Sequence, residues 1–189
     1  MTTREHLATV DDLWQFSQDY PDKRTELYEG IIIEMSPSSV IPSIVAVRIG
    51  TALENYIRPR NLGYVTTADG GFELSPNNVL SPDVGFIAKA RVAKLPPRYF
   101  LGTPDLSVEV MSPTDTYPSA HRKALKYLSF GTRLVWVVDP DERLVEVYHP
   151  ATESGFFVQP IDRNGTLNGG DVLSGFTLPI RDIFEDLGD

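Results

Sequence analysis

Residues 104–123 constrain the fold more than any other segment, because they place a carboxylate in the middle of an apolar strand. Side chains alternate along a strand, so Leu106, Val108 and Val110 would face one side of a sheet and Glu109 the other. A buried carboxylate is costly unless a cation, a metal ion or water in a cleft pairs with it. The fold must therefore supply a partner for Glu109.

Length and composition favour a single domain over residues 1–189, with 41% hydrophobic and 23% charged residues. The sequence contains no cysteine, which excludes disulfides, zinc–thiolate sites and thiol nucleophiles. No uninterrupted apolar run approaches the roughly 20 residues that span a bilayer, and the first residues lack the apolar core of a signal peptide. We therefore expect no membrane partner and a cytoplasmic location.

The pattern of apolar residues and chain breakers predicts a mixed β-sheet flanked by helices. One helix should follow an N-cap at Thr9, a second should run from about Pro42 to Arg58, a third from near Ser119 to Phe130, and a short one should lie near the C-terminus. This order of elements predicts an α/β fold, on the border with α+β, around one mixed sheet of the restriction-endonuclease type. Strands are expected over residues 25–28, 31–35, 63–67, 71–74, 81–87, 105–111, 134–138 and 144–148, with further short strands in the tail from Ala151.

A second carboxylate, Asp83, opens a strand expected to neighbour that of Glu109. The next residue on the same face of that strand, Gly85, has no side chain and would leave room beside Asp83 for a ligand. Two carboxylates that converge repel each other unless they share a cation, and oxygen ligands favour Mg²⁺ or Mn²⁺. Lys123, in the next helix, could orient an attacking water or neutralise developing charge. These groups form a phosphodiester-hydrolysing set, although Asp83 could instead cap a turn after Pro82 and Glu109 could pair with an arginine.

Two windows without acidic residues, 84–104 and 116–138, stand out from a chain with a net charge of -9. They contain candidate nucleic-acid-binding residues and flank the candidate acids. One interpretation is an ordinary solvated surface; the other is a side of the molecule that faces a polyanion such as DNA. The candidates are Lys89, Arg91, Lys94, Arg98, Arg122 and Lys126.

Several motifs, in this order, resemble the Uma2 family of the PD-(D/E)XK nuclease superfamily. They include Glu26-Leu-Tyr-Glu-Gly30, Ser81-Pro-Asp-Val84, the segment 104–113 with Glu109, Lys123-Ala-Leu-Lys-Tyr127 and Val135-Trp-Val-Val-Asp-Pro140. The resemblance implies a sheet flanked by helices, with Asp83 and Glu109 as the metal-binding and catalytic acids. It implies Lys123 as the catalytic lysine, and Glu26 or Glu29 as a possible additional acid.

Three positions depart from the pattern of this family or superfamily. Met111 stands where the superfamily has its lysine, Pro42 stands where the family commonly has histidine, and Ser119 stands where it commonly has aspartate. The expected function is a Mg²⁺- or Mn²⁺-dependent endodeoxyribonuclease, which would act as a homodimer because cutting both strands needs two sites. The alternative is a catalytically inactive relative that serves as a nucleic-acid-binding or protein-interaction module. Trp14 and Trp136 are predicted to be core residues.

Overall fold

The computed structural model describes residues 7–36, 39–151 and 154–187. These residues form an α+β structure in which thirteen strands build three sheets flanked by helices. The helices are α1 (Val10–Asp19), α2 (Val40–Ile57), α3 (Tyr117–Ser129) and α4 (Ile180–Phe184). The strands are β1 (Thr25–Tyr28), β2 (Ile31–Glu34), β3 (Gly63–Thr67), β4 (Phe72–Ser75), β5 (Asn78–Leu80), β6 (Val84–Ala88), β7 (Phe100–Leu101), β8 (Leu106–Val110), β9 (Leu134–Asp139), β10 (Leu144–Pro150), β11 (Phe156–Ile161), β12 (Thr166–Gly169) and β13 (Leu173–Pro179).

The strands are distributed over a six-stranded sheet, a five-stranded sheet and a two-stranded ribbon. The six-stranded sheet has the order β11-β10-β9-β8-β6-β3, and the five-stranded sheet has the order β2-β1-β5-β4-β7. One neighbouring pair is parallel in each, β8 with β9 and β4 with β7. The predicted mixed β-structure flanked by helices is confirmed, but the strands divide into several sheets instead of the single one expected.

The six-stranded sheet is the centre of the molecule because its middle strands are buried on both faces. On one face, α2 contributes Val45, Ile49, Leu53 and Ile57, whose spacing of four residues forms one fully buried helix stripe. On the other face, Ala124, Tyr127 and Leu128 of α3 pack against alternate residues of β9 and against Tyr148. The continuous apolar run of β9 is thus a buried central strand, as its sequence predicts.

The ends of α1 and α3 follow from local capping. Thr9 caps α1 in a reciprocal arrangement with Asp12, and Thr116 caps α3 in the same way with Ser119. The family's aspartate position, occupied here by Ser119, is therefore used to start the helix that carries Lys123. That helix begins two residues earlier than the sequence predicts.

Two short strands were not expected from the sequence. All three residues of β5 are buried, so the alternation that marks a half-buried strand is absent, and β7 has only two residues. Strand β5 lies between β1 and β4 and so completes the five-stranded sheet.

The helical stretch Val40–Arg60 is long and apolar enough, by length and composition, to cross a membrane. Core helices meet the same criterion, and one stripe of α2 is part of the core described above. The other side of the helix is open to solvent at its N-terminal end, where Val40 and Val47 are exposed.

Candidate functional site

The two acids predicted to share a site lie across from each other on neighbouring strands. Strands β6 and β8 are antiparallel, with Val84 opposite Val108. This register, continued by one residue, brings Asp83 across from Glu109. The backbone N–H of Val110 donates to Oδ2 of Asp83 at 2.7 Å, which holds this carboxylate at the junction of the two strands. The expected pairing of the two strands is therefore observed.

Lys123 reaches the site from α3. Its ammonium lies 3.1 Å from Oε2 of Glu109 and 3.0 Å from Oε1 of Glu26. Glu26 comes from β1 in the five-stranded sheet, and its Oε1 also accepts a hydrogen bond from the Ser81 N–H at 2.8 Å. The lysine thus links the two larger sheets through two buried carboxylates.

Of the two candidate additional acids, Glu26 is in this cluster and Glu29 is outside it. Glu29 lies at the turn between β1 and β2, is exposed, and pairs with Lys126 at 2.6 Å. Lys126 lies one turn beyond Lys123 on α3. The helix therefore makes two ion pairs with the same hairpin, one buried and one at the surface.

Burial and the excess of negative charge shift the pKa values of the cluster. Burial raises the pKa of Glu109 to about 8; the Lys123 charge opposes this rise, and the charges of Asp83 and Glu26 add to it. Burial also raises the pKa of Asp83, although the Val110 N–H and the charge of Lys123 oppose it. Burial alone would lower the pKa of Lys123, but the charges of Glu109 and Glu26 outweigh it and raise the pKa above its ordinary value. Lys123 is consequently a protonated donor at neutral pH.

One carboxylate oxygen of the cluster is poorly satisfied. Oε1 of Glu109 is buried and makes no hydrogen bond of good geometry among the described residues, although the Tyr127 side chain lies close to this carboxylate. The hydroxyl groups of Ser107 and Tyr127 are also buried without a hydrogen bond of good geometry. Burial raises the pKa of Tyr127 well above its ordinary value, and the charge of nearby Glu109 raises it further. An unsatisfied carboxylate oxygen in an acid-rich cluster is chemically suited to a hard cation.

The donor set fits a metal ion held by few protein ligands. Across residues 7–36, 39–151 and 154–187, no three acidic or histidine side chains lie close enough together to hold a metal by themselves. Mg²⁺, however, is commonly held by one or two carboxylates, with water and substrate phosphate completing its shell. Asp83 and Glu109 could supply such a pair.

A cleft of about 850 Å³ opens beside Asp83, between α2 and β3. Its wall includes Pro42, so the position where the family commonly has histidine faces this cleft. The space does not arise from Gly85, contrary to the sequence interpretation. A Cβ at Gly85 would lie 2.6 Å from Thr66 Oγ1 and 3.0 Å from the Phe72 ring, so the glycine is required for packing.

Met111 is an apolar packing residue in this structure. It stands two residues after Glu109 and packs at the edge of the apolar cluster formed by α3, β9 and Tyr148. The lysine that contacts Glu109 is Lys123 of α3.

The candidate DNA-binding residues are spread over several surfaces. Lys89 and Arg91 follow β6, whereas Asp83 precedes it, so these two cations lie at the other end of the strand from Asp83. Arg91 pairs there with the buried Asp105 at 3.0 Å. Arg98 pairs with Asp11 at 3.0 Å. Lys94 and Arg122 are exposed.

Sequence reasoning missed Arg24 and misplaced Trp14. Arg24 lines the Asp83 cleft, and its charge opposes the rise in the pKa of Asp83 that burial causes. Trp136 is fully buried, as predicted, but Trp14 is only partly buried and lines a second cavity. Arg24 directly precedes β1, and the sequence around it contains no pattern that marks a site residue. Only its position beside the cleft indicates a role for it.

The profile of the Uma2 family, described as "Putative restriction endonuclease", matches residues 10–181. No curated protein matches the sequence. Among solved structures, the chain is similar to a crystal structure described as a putative nuclease belonging to DUF820 from Anabaena variabilis. The two share 22% sequence identity and a TM-score of 0.76, and the alignment covers 93% of this chain and 97% of the other. At this identity, the structural similarity establishes the fold.

Proposed function

The chain belongs to the Uma2 family, and from this premise we propose that it is a metal-dependent endodeoxyribonuclease that hydrolyses phosphodiester bonds in DNA. The observation that carries the proposal is the contact of Lys123 with Glu109, at 3.1 Å, beside an acid on the neighbouring strand. This arrangement brings together the two acids and the lysine that a phosphodiesterase site requires, although they come from three different elements.

Asp83 and Glu109 are the proposed metal ligands, and Mg²⁺ or Mn²⁺ is the proposed ion. The bound ion would polarise the scissile phosphate and lower the pKa of a coordinated water. The excess of carboxylates around a single lysine supports a dication here. Burial is the main cause of the raised pKa of Glu109, and a second positive group would offset the repulsion from Asp83 and Glu26 that adds to it.

Lys123 would act as a fixed cation and hydrogen-bond donor. Its raised pKa keeps it protonated at neutral pH, so it is unsuited to accept a proton from water. It can instead orient a water or stabilise the negative charge that develops on the phosphate. Glu26 would position it, since Oε1 of Glu26 also contacts this ammonium, at 3.0 Å.

Cleavage of supercoiled plasmid in Mg²⁺ tests the proposal. We expect Asp83→Asn and Glu109→Gln each to lower the cleavage rate by at least about a hundredfold, since each removes a charge that holds the ion. Glu29→Gln is the matched control, because it removes an exposed acid of the same charge, and should retain activity. Activity that survives in both site variants would contradict the proposal.

Binding to DNA and assembly are further parts of this proposal. The cations in the two acid-free windows, including exposed Lys94 and Arg122, would contact phosphates, and a homodimer would bring two sites to a duplex. Light scattering coupled to size-exclusion chromatography would give the mass of the assembly in solution. A monomer at all protein concentrations would contradict the dimer.

A second candidate function is a non-catalytic DNA-binding or protein-interaction module. Two observations favour it: the described residues contain no group of three metal-binding side chains, and Lys123 already neutralises part of the acid cluster. Calorimetric titration with Mn²⁺ separates the two functions. Binding that is lost in Glu109→Gln favours the nuclease, whereas no binding to the wild type favours the module.

A further inference from the structure

A second cavity, of about 330 Å³, lies beside Glu26. It is bounded on one side by α1 and on the other by the segments that precede β1 and β6. It shares Lys23, Arg24 and Met35 with the Asp83 cleft, so the two spaces adjoin. A ligand that occupies both would pass the acid cluster between them.

Part of the wall of this cavity is aromatic and is formed by Trp14 and Tyr99. The ring of Tyr99 meets the Trp14 indole edge-on, with centroids 5.7 Å apart. The guanidinium of Arg98 lies 4.7 Å from the Trp14 ring centroid, and Asp11 holds that guanidinium at 3.0 Å. These contacts orient a partly exposed indole, in contrast to the fully buried Trp136. A partly exposed aromatic ring in the wall of a cavity can stack with a planar ligand.

Two cations lie between this ring and Asp83. Lys23 pairs with Glu34 at 2.6 Å, and Arg24 pairs with Asp69 at 3.3 Å. The side chains of Glu34 and Asp69 are 55% and 79% exposed, and ion pairs of this kind are weak. A phosphate group could therefore replace these carboxylates as the partner of Lys23 and Arg24.

We propose that this cavity holds one unpaired nucleotide of the substrate strand, with its base against Trp14 and its phosphate at Lys23 and Arg24. The inference rests on the proposed nuclease function and adds the class of substrate. The cavity is at the lower end of the volumes that bind small molecules, which suits one nucleotide and excludes a continuous duplex. The preferred substrate is therefore single-stranded DNA, or duplex DNA with an unpaired segment beside the scissile phosphate.

The test compares two fluorescein-labelled oligonucleotides of equal length, one of thymidine and one of abasic residues, by fluorescence anisotropy in EDTA. The wild type should bind the thymidine strand more tightly. Trp14→Leu should weaken that binding about tenfold to a hundredfold and leave binding to the abasic strand unchanged. Trp14→Phe should restore most of the loss, because it keeps an aromatic ring. Arg24→Gln should weaken binding to both strands and reduce the salt dependence.

Phe157→Leu is the matched control, because it removes an aromatic side chain that is 54% exposed on β11, away from both cavities. It should leave both affinities unchanged. Equal affinity of the wild type for the two strands, or a Trp14→Leu loss of equal size on both, would overturn the nucleotide site. The experiments also distinguish failure of the nucleotide site from failure of the nuclease proposal. If Trp14→Leu still cleaves plasmid and its KM for single-stranded DNA is unchanged, only the nucleotide site is contradicted. Stacking without cleavage by the wild type defeats only the nuclease.

Discussion

At the scale of single residues, Lys123 is the group on which the acid cluster depends. Lys123→Met would leave Glu109 and Glu26 buried without their cation, and removing one partner of a buried ion pair costs up to about 3–5 kcal/mol. We expect lower stability in urea unfolding together with loss of cleavage. Lys126→Met makes the same change one turn away, where the partner Glu29 is exposed, and should cost no more than about 1 kcal/mol. Equal losses in the two variants would contradict the special role of Lys123.

The raised pKa of Glu109 makes a prediction about stability and pH. Its pKa is about 8 in the folded protein against an ordinary 4.5, so folding favours the protonated acid. The resulting stabilisation is complete below pH 4.5 and is lost as pH rises towards 8. Glu109→Gln cannot ionise, so its melting temperature relative to the wild type should increase over this range, by about 3–10 °C in EDTA.

Melting curves at several pH values between 5 and 8 provide the measurement. Glu142→Gln makes the same chemical change at an exposed acid and is the matched control. A pH-independent difference for Glu109→Gln would mean that Glu109 ionises normally in the folded protein.

At the scale of elements, the packing of β6 against β3 and β4 requires a glycine beside the site. Gly85→Ala would place a methyl group 2.6 Å from Thr66 Oγ1, so this side chain or the strands must shift, and we expect a loss of about 1–3 kcal/mol. Gly50→Ala is the matched control on α2, where the methyl group would meet Val84 at an ordinary 3.7 Å. This helix-interior change should be neutral or stabilise by up to about 1 kcal/mol.

Urea unfolding of both glycine variants, together with plasmid cleavage, measures this prediction. Because Asp83 immediately precedes β6, a shift of that strand should also lower activity in Gly85→Ala. Retained stability in Gly85→Ala would indicate that Thr66 and Phe72 can yield without strain.

The same elements separate what the sequence predicts from what it leaves open. The sequence predicts that Asp83 and Glu109 lie near each other, because each is on the polar side of a strand and the two strands are close in sequence. Lys123 follows from the helix after β8. The contribution of Glu26 depends on how the five-stranded sheet packs against α3, and no local pattern encodes that packing.

Gly85 and Trp14 are two positions where the local sequence pattern predicts the wrong environment. A glycine beside a carboxylate suggests open space, yet the neighbouring β3 and β4 fill the space beside Gly85. A tryptophan in an apolar helix suggests a core residue, yet Trp14 lies at the edge of the helix's buried stripe and faces a cavity. In both cases the deciding neighbours come from elements distant in sequence.

At the scale of the whole molecule, a metal ion bound by the folded state should stabilise the entire chain. Binding to the folded state alone contributes about 2.7 kcal/mol at a metal concentration of a hundred times Kd, or roughly 5–10 °C in melting temperature for a chain of this size. A net charge of -9 also attracts cations without a specific site. The control variant must therefore change an acid of the same kind outside the proposed site.

Glu109→Gln and Glu29→Gln each replace one carboxyl group with an amide, and they differ in whether that carboxyl group belongs to the proposed metal site. Melting curves with increasing Mn²⁺ should show stabilisation of the wild type and Glu29→Gln, and little or none for Glu109→Gln. The Glu109 carboxyl must lose its proton to bind metal, so the stabilisation of the wild type should be larger at pH 8 than at pH 6. Equal stabilisation of all three proteins would assign the effect to general charge screening and would remove the support for a metal shared by Asp83 and Glu109.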